Sequence, residues 1–208
     1  MAMDPVLSDQ RKQAMRAAGF WSDQTLLEFF SKTAKDDPGR VAVVGYEAAP
    51  NRRTVLTYGE LQQTADRIAA NLLRRGVRPG EVVSYQLPNW WQFVALHLAL
   101  LRIGAVTNPV MPIFRDREME FMLTLAETRV LIVPQRFRDF DHAAMADRLK
   151  AKVPTLEHVV IIGSGDNRDF ETVLNSPGKR VEAATAASAD DVVQLLYTSG
   201  TTGEPKGV

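Results

Sequence analysis

Apolar positions along this chain recur with two periods, and the switches between them divide it into elements. Asp9 to Ala18 reads as an opening helix stopped by Gly19; Gln24 to Lys35 reads as a second, with Leu26, Leu27, Phe30 and Ala34 at helical spacing. Val41 to Tyr46 reads as a strand and Thr54 to Leu56 as its hairpin partner, across an exposed turn at Glu47 to Arg53. Thr57-Tyr58-Gly59-Glu60 is a capping box, in which the threonine hydroxyl and the glutamate three residues on satisfy the first helical N–H groups reciprocally. The helix it starts carries Leu61, Ala65, Ile68, Ala69, Leu72 and Leu73 on one stripe and runs to about Arg75, where Gly76 stops it.

From Pro79-Gly80 onward the pattern alternates. Strands are predicted at Val82–Leu87, Ala105–Thr107, Val130–Val133 and His158–Ile162. Helices are predicted between them, at Trp90–Ile103 behind an Asn89 cap, Asp116–Glu127 and Asp141–Lys150. Strands that alternate with helices of ten or more residues argue for an α/β fold, a mostly parallel sheet covered on both faces. The Ala/Ser/Thr-rich stretch from Asn175 to Asp191 reads as a connector. Val192–Leu196 then reads as a short buried strand. The expected division is therefore 1–174 as an α/β subdomain, 175–191 as connector, and 192–208 as a strand plus the loop that follows it.

Composition narrows the function classes. The 208 residues are 45% hydrophobic and 24% charged, ordinary for a soluble globular chain. Lys plus Arg equals Asp plus Glu at 25 each, which leaves no global attraction to nucleic acid or an anionic membrane. Cysteine is absent, excluding disulfides, thiolate catalysis and cysteine-based zinc sites. His97, His142 and His158 are too scattered for a metal site and read as packed or surface histidines. The N-terminal residues lack an apolar secretory core, and the most apolar stretch, Trp90 to Val106, is broken by Gln92, His97 and Arg102; a cytoplasmic location is expected.

Most local motifs have plain readings. Gly163-Ser164-Gly165 follows a strand but has Arg168 where a dinucleotide fingerprint needs its third glycine, so it reads as a turn. Trp90-Trp91 reads as core packing. Asp116-Arg117-Glu118-Met119-Glu120 reads as a solvated helix start whose acids suit the helix dipole.

The last stretch does not yield to a plain reading. Tyr197-Thr198-Ser199-Gly200-Thr201-Thr202-Gly203-Glu204-Pro205-Lys206-Gly207 packs three glycines, four Ser/Thr hydroxyls and a lysine directly behind an apolar run. Glycines let backbone N–H groups close around an anion, hydroxyls add rotatable donors, and lysine adds a point charge. It is not a Walker loop, because Pro205 stands where that pattern needs a glycine before the lysine.

The string TSGTTGEPKG resembles the phosphate loop of the adenylate-forming enzymes: acyl-CoA synthetases, luciferases and peptide-synthetase adenylation domains. The likeness extends through Leu56-Thr57-Tyr58-Gly59-Glu60-Leu61, Gly76-Val77-Arg78-Pro79-Gly80-Glu81-Val82-Val83, and Arg102-Ile103-Gly104-Ala105-Val106-Thr107-Asn108-Pro109. Leu87-Pro88-Asn89-Trp90-Trp91 and Asn108 to Arg115 look most like the branch with cyclohexanecarboxylate-CoA ligase and other short- to medium-chain acyl-CoA ligases.

The resemblance implies the first part of the large N-terminal domain of an ATP-dependent acyl-CoA ligase. Such an enzyme joins a carboxylate to the ATP α-phosphate, releases pyrophosphate, and passes the acyl group to the thiol of coenzyme A with loss of AMP. Carried over, Thr198, Ser199, Thr201, Thr202 and Lys206 would hold the β- and γ-phosphates, and Gly200, Gly203 and Gly207 would let the backbone close around them. The resemblance implies ATP, Mg2+ and coenzyme A as co-substrates, a small carboxylic acid as substrate, and no metal ligand or catalytic residue within this stretch. The family's adenine, magnesium and ribose contacts and its catalytic lysine lie in later segments that this sequence lacks, so the chain is expected to be an N-terminal fragment, inactive alone and prone to self-associate through exposed apolar surface. Two rival readings are an adenylation domain that loads an amino or aryl acid onto a carrier protein, and a non-catalytic nucleotide-binding module.

Overall fold

A computed structural model describes residues 8–47, 51–177, 188–198 and 206–207. Seven helices and ten strands occur among them: α1 (Asp9–Ala17), α2 (Leu26–Asp36), β1 (Val41–Glu47), β2 (Arg52–Thr57), α3 (Tyr58–Arg74), β3 (Val82–Tyr85), α4 (Trp91–Arg102), β4 (Val106–Pro109), α5 (Asp116–Leu125), β5 (Val130–Pro134), β6 (Arg136–Phe137), β7 (Phe140–Asp141), α6 (His142–Lys152), β8 (His158–Ile162), α7 (Phe170–Val173), β9 (Tyr197–Thr198) and β10 (Lys206–Gly207).

The centre is a parallel sheet of order β4-β3-β5-β8. Its strands are short and apolar on both sides because both faces are covered. The alternation of side chains sorts them: Val83, Tyr85, Val130, Ile132 and Val160 face the helix pair α3 and α4, with Leu61, Ile68, Leu72, Leu96 and Leu100. Leu131, Val133 and Ile161 face α5 and α6, with Met119, Met122, Leu123, Met145 and Leu149. The expected α/β architecture is the one observed.

Local chemistry sets the element ends. Thr57 and Glu60 form the anticipated capping box of α3, and Thr25 with Glu28 forms a second on α2. Gly76 takes φ +82° just beyond α3, a conformation that closes helix ends without Cβ strain. An ion pair inside the molecule ties α3 to α4, Asp66 to Arg102 Nε at 2.8 Å. At the edge of the sheet where the strands begin, Arg129 bridges Glu81 (2.9 Å) and Glu157 (2.8 Å).

Some expectations shift. The N-cap of α4 is Trp90, without a side-chain hydrogen bond, and not Asn89. Strand β4 runs on to Pro109, past the predicted end at Thr107. The predicted strand Val192–Leu196 meets the sheet only around Gln194, which pairs with Thr107 in parallel. The β6–β7 hairpin and the one-turn α7 carry too few residues for a periodic signal. Of the predicted connector, residues 178–187 lie outside the described residues.

Candidate phosphate-binding site

The site begins where the chain joins the free edge of β4. Thr107 N–H and Oγ1 both donate to Val193 O at 2.9 Å, and Leu195 N–H donates to Thr107 O at 2.9 Å. Because this pairing is parallel, the chain leaves it in the direction of the strands' C-terminal ends, beside Asn108 and Pro109. That edge is where open α/β sheets hold their ligands.

There the chain folds back. Tyr197 pairs with Gly207 and Thr198 with Lys206 in an antiparallel hairpin. The Tyr197 hydroxyl donates to Met122 O in the last turn of α5 at 2.9 Å, and burial pushes its phenol up to about 12. Thr198 is exposed. A Cβ built on Gly207 would stand 3.2 Å from Leu195 Cδ1 and 3.8 Å from Leu125 Cδ2 and Tyr197 Cε1, so a larger residue here would crowd the Leu195 side chain at the hairpin base. The structure thus brings the predicted residues Thr198, Lys206 and Gly207 together at the two ends of one loop. Ser199, Gly200, Thr201, Thr202 and Gly203 lie outside the described residues.

Beneath the hairpin runs a buried polar chain that the sequence reading missed. Asn108 Nδ2 donates to Ser84 Oγ at 2.8 Å, and the Ser84 and Thr128 hydroxyls hydrogen-bond to each other at 2.7 Å. Gln86, also buried, donates through Nε2 to Met111 O (2.9 Å) and Phe114 O (3.0 Å) and so pins the turn after β4. Polar residues inside apolar strands are the signal that could have found them, since buried polar groups require partners.

The other motifs stay structural. Asp169 Oδ2 accepts from Gly163 N–H (3.1 Å) and Gly165 N–H (3.0 Å), so the protein's own carboxylate fills that turn. Asp116 pairs with Arg148 and Glu120 with Lys152, which makes this helix start a solvated, ion-paired surface. Trp91 packs edge-on to Phe170 and Trp90 to Phe137. His97 Nδ1 meets Tyr85 OH at 3.1 Å, His142 is buried, and burial lowers both imidazoles below the ordinary histidine value. Among the described residues no group of three His, Asp or Glu side chains is placed to hold a metal ion, and no helix is long and apolar enough to cross a membrane.

The parallel α/β layer and the pairing of Thr198 with Lys206 at the C-terminal edge of its strands can be set beside known proteins. The apo structure of Mycobacterium smegmatis MbtA superposes on this chain with a TM-score of 0.81 and 33% identity, over 97% of this chain and 36% of that one. Residues 30–208 match the family model of the AMP-binding enzyme, and the chain belongs to that family. Among curated relatives, the salicyl-AMP ligase / salicyl-S-ArCP synthetase of Mycobacterium tuberculosis is 37% identical over 94% of this chain and 34% of its own length. The medium-chain fatty-acid–CoA ligase of Escherichia coli K12 is 28% identical over 100% of this chain and 36% of its own. The chain therefore spans about a third of the length of the curated relatives it matches.

Proposed function

We propose that this chain is the opening part of a cytoplasmic enzyme that activates a small carboxylic acid with ATP as an acyl adenylate and then transfers the acyl group to the thiol of coenzyme A. The carboxylate oxygen forms a bond to the α-phosphorus, the bond to the β-phosphate bridge breaks, and pyrophosphate leaves. The thiol sulfur then bonds to the acyl carbon, and AMP leaves with the electron pair of the mixed anhydride. In this reading residues 1–174 are the first subdomain, 175–191 the connector, and 192–208 the strand and phosphate loop.

The observation that carries the reading is the position of the hairpin: Thr198 and Lys206 face each other across its base, at the C-terminal edge of a parallel sheet. The role assigned to Thr198, Ser199, Thr201, Thr202 and Lys206 is to grip the β- and γ-phosphates and stabilise the charge that gathers on the departing pyrophosphate. Gly200, Gly203 and Gly207 let the backbone approach. Magnesium would accompany the nucleotide, and the described side chains offer it no ligand cluster. The test is a panel of carboxylic acids given with ATP and coenzyme A to the whole protein that carries this chain. Carboxylate-dependent AMP and thioester support the reading; the absence of AMP across aliphatic and aromatic acids alike overturns it.

One observation favours a second acceptor. The relative at 37% identity is named as a synthetase that loads an aryl carrier protein. Transfer to a carrier-protein phosphopantetheine instead of coenzyme A, in the same assay, would decide for it.

A further inference from the structure

The hairpin base carries a residue whose role the phosphate loop itself does not explain. Tyr197 sits between two apolar clusters, one formed with α5 and α6, the other with Val82, Val106, Ala126 and Leu195. Its ring is mostly buried, yet its polar end is committed: the hydroxyl donates to Met122 O at 2.9 Å. That carbonyl already accepts from Ala126 N–H at 3.0 Å, so the bond is made to the closing turn of α5. One phenol thereby connects the loop to a helix end.

The pairing register turns this anchor into a geometric constraint. Tyr197 is opposite Gly207, and its neighbour Thr198 is opposite Lys206. A side chain at position 207 would crowd Leu195 and touch Leu125 and the Tyr197 ring. Whatever fixes Tyr197 therefore fixes the backbone at both ends of the loop. We infer that Tyr197 is a positioning residue, which sets where Thr198 and Lys206 stand over the C-terminal edge and so acts on the nucleotide phosphates without touching them. The inference rests on the proposed function for its ligand, but its mechanical half is independent of it.

The experiment is Tyr197→Phe in the whole protein, which deletes one oxygen and keeps the ring. Amide hydrogen exchange at residues 197, 198, 206 and 207 should rise about five-fold relative to amides of β3 and β5, the equivalent of about one net hydrogen bond. KM for ATP should rise by a similar factor of about five, with KM for the acid unchanged, a split that a general loss of stability would not produce. Unchanged exchange at the hairpin overturns the inference, and so does faster exchange with an unaltered KM for ATP. If no carboxylate activates the wild-type protein, the proposed function fails while the exchange result still decides the anchor. A second measurement needs no variant: inorganic pyrophosphate added to the wild-type protein should protect the segment Met122–Ala126 together with the hairpin, and protection confined to the hairpin counts against the coupling.

Discussion

Asp66 and Arg102 offer the sharpest test of how this fold is held together. They join α3 to α4 at 2.8 Å, and their side chains retain only 10% and 13% of their exposure. At an effective dielectric of about 20, charges about 4 Å apart attract by roughly 4 kcal/mol, and desolvation of both groups offsets much of that. Arg102 also closes the last turn of α4, where a cation is favoured by the helix dipole. Removing one partner is a different matter from removing both, because it strands a charge in the interior. Asp66→Ala and Arg102→Met should each cost about 3 kcal/mol, a large share of a typical stability of about 5–15 kcal/mol. The double variant strands no charge and should cost only about 1 kcal/mol, so the coupling is about 5 kcal/mol. Urea unfolding followed by far-UV circular dichroism measures all three, with the slope m as the check that the unfolded state has not changed. The surface pair Arg148–Asp116, with 52% and 37% exposure, is the internal control and should couple by less than about 1 kcal/mol. Additive single effects at Asp66 and Arg102, or single costs below about 1 kcal/mol, would refute the reasoning.

Other expectations are more compact. Gly76→Ala forces a Cβ onto φ +82° and to 3.2 Å from the Arg129 guanidinium, and should lower stability by about 1–2 kcal/mol in the same urea assay. His97 and His142 have folded-state pKa values lowered by burial, so the unfolded chain binds protons more readily. Their contribution to stability is complete above the ordinary histidine value of 6.5 and is lost as pH falls below it toward the depressed folded values. His97→Phe should flatten the dependence of the urea midpoint on pH across that window, and an unchanged profile would count against a buried neutral imidazole. Lys206→Ala in the whole protein should lower kcat/KM for ATP by about 10–100-fold, the worth of one charge-assisted contact to phosphate, measured by AMP release. The 208-residue chain alone should release no carboxylate-dependent pyrophosphate, and should sediment with a concentration-dependent mass because Leu26, Phe29, Val41 and Tyr46 are exposed on it.

Much of this fold was legible because its signals are long and redundant. The stripe on α3 covers 17 residues and agrees with its capping box, so period and cap point the same way. Strands β5 and β8 were legible as unbroken apolar runs, which is what burial on both faces produces. Short elements were not: β6 and β7 have two residues each and are defined by pairing with one another, a tertiary fact. The N-cap of α4 was misplaced because Asn89 is the better capping residue by type, whereas the chain after β3 positions Trp90, whose ring packs on Phe137. At the site, the pairing of Thr198 with Lys206 closes the segment that the glycines and hydroxyls mark as a loop. Its anchor was not legible, because Tyr197 reads as the end of an apolar run until the carbonyl of Met122 is seen 75 residues away in sequence.

On the proposed function, position and elimination together single out the hairpin among the features of this edge. Four helices leave the C-terminal ends of the sheet strands, and any helix start is a potential phosphate cradle. In α5 the first turn already holds Asp116, paired with Arg148, and Glu118, which accepts from Arg115 N–H. Asp141 accepts from Ala144 N–H at the start of α6, and Asp169 accepts from Glu171 N–H at the start of α7 while filling the Gly163–Gly165 turn. The start of α4 has no side-chain cap, but it is walled by the Trp90 indole against Phe137. Among the described residues, then, three of these four helix starts carry their own carboxylate and the fourth is aromatic. Thr198 to Gly207 has a single acid, Glu204, against Lys206 and four hydroxyls, and its base stands on the free side of β4. On that reading the specificity of the site would lie as much in the carboxylates that occupy the described helix starts as in the loop itself.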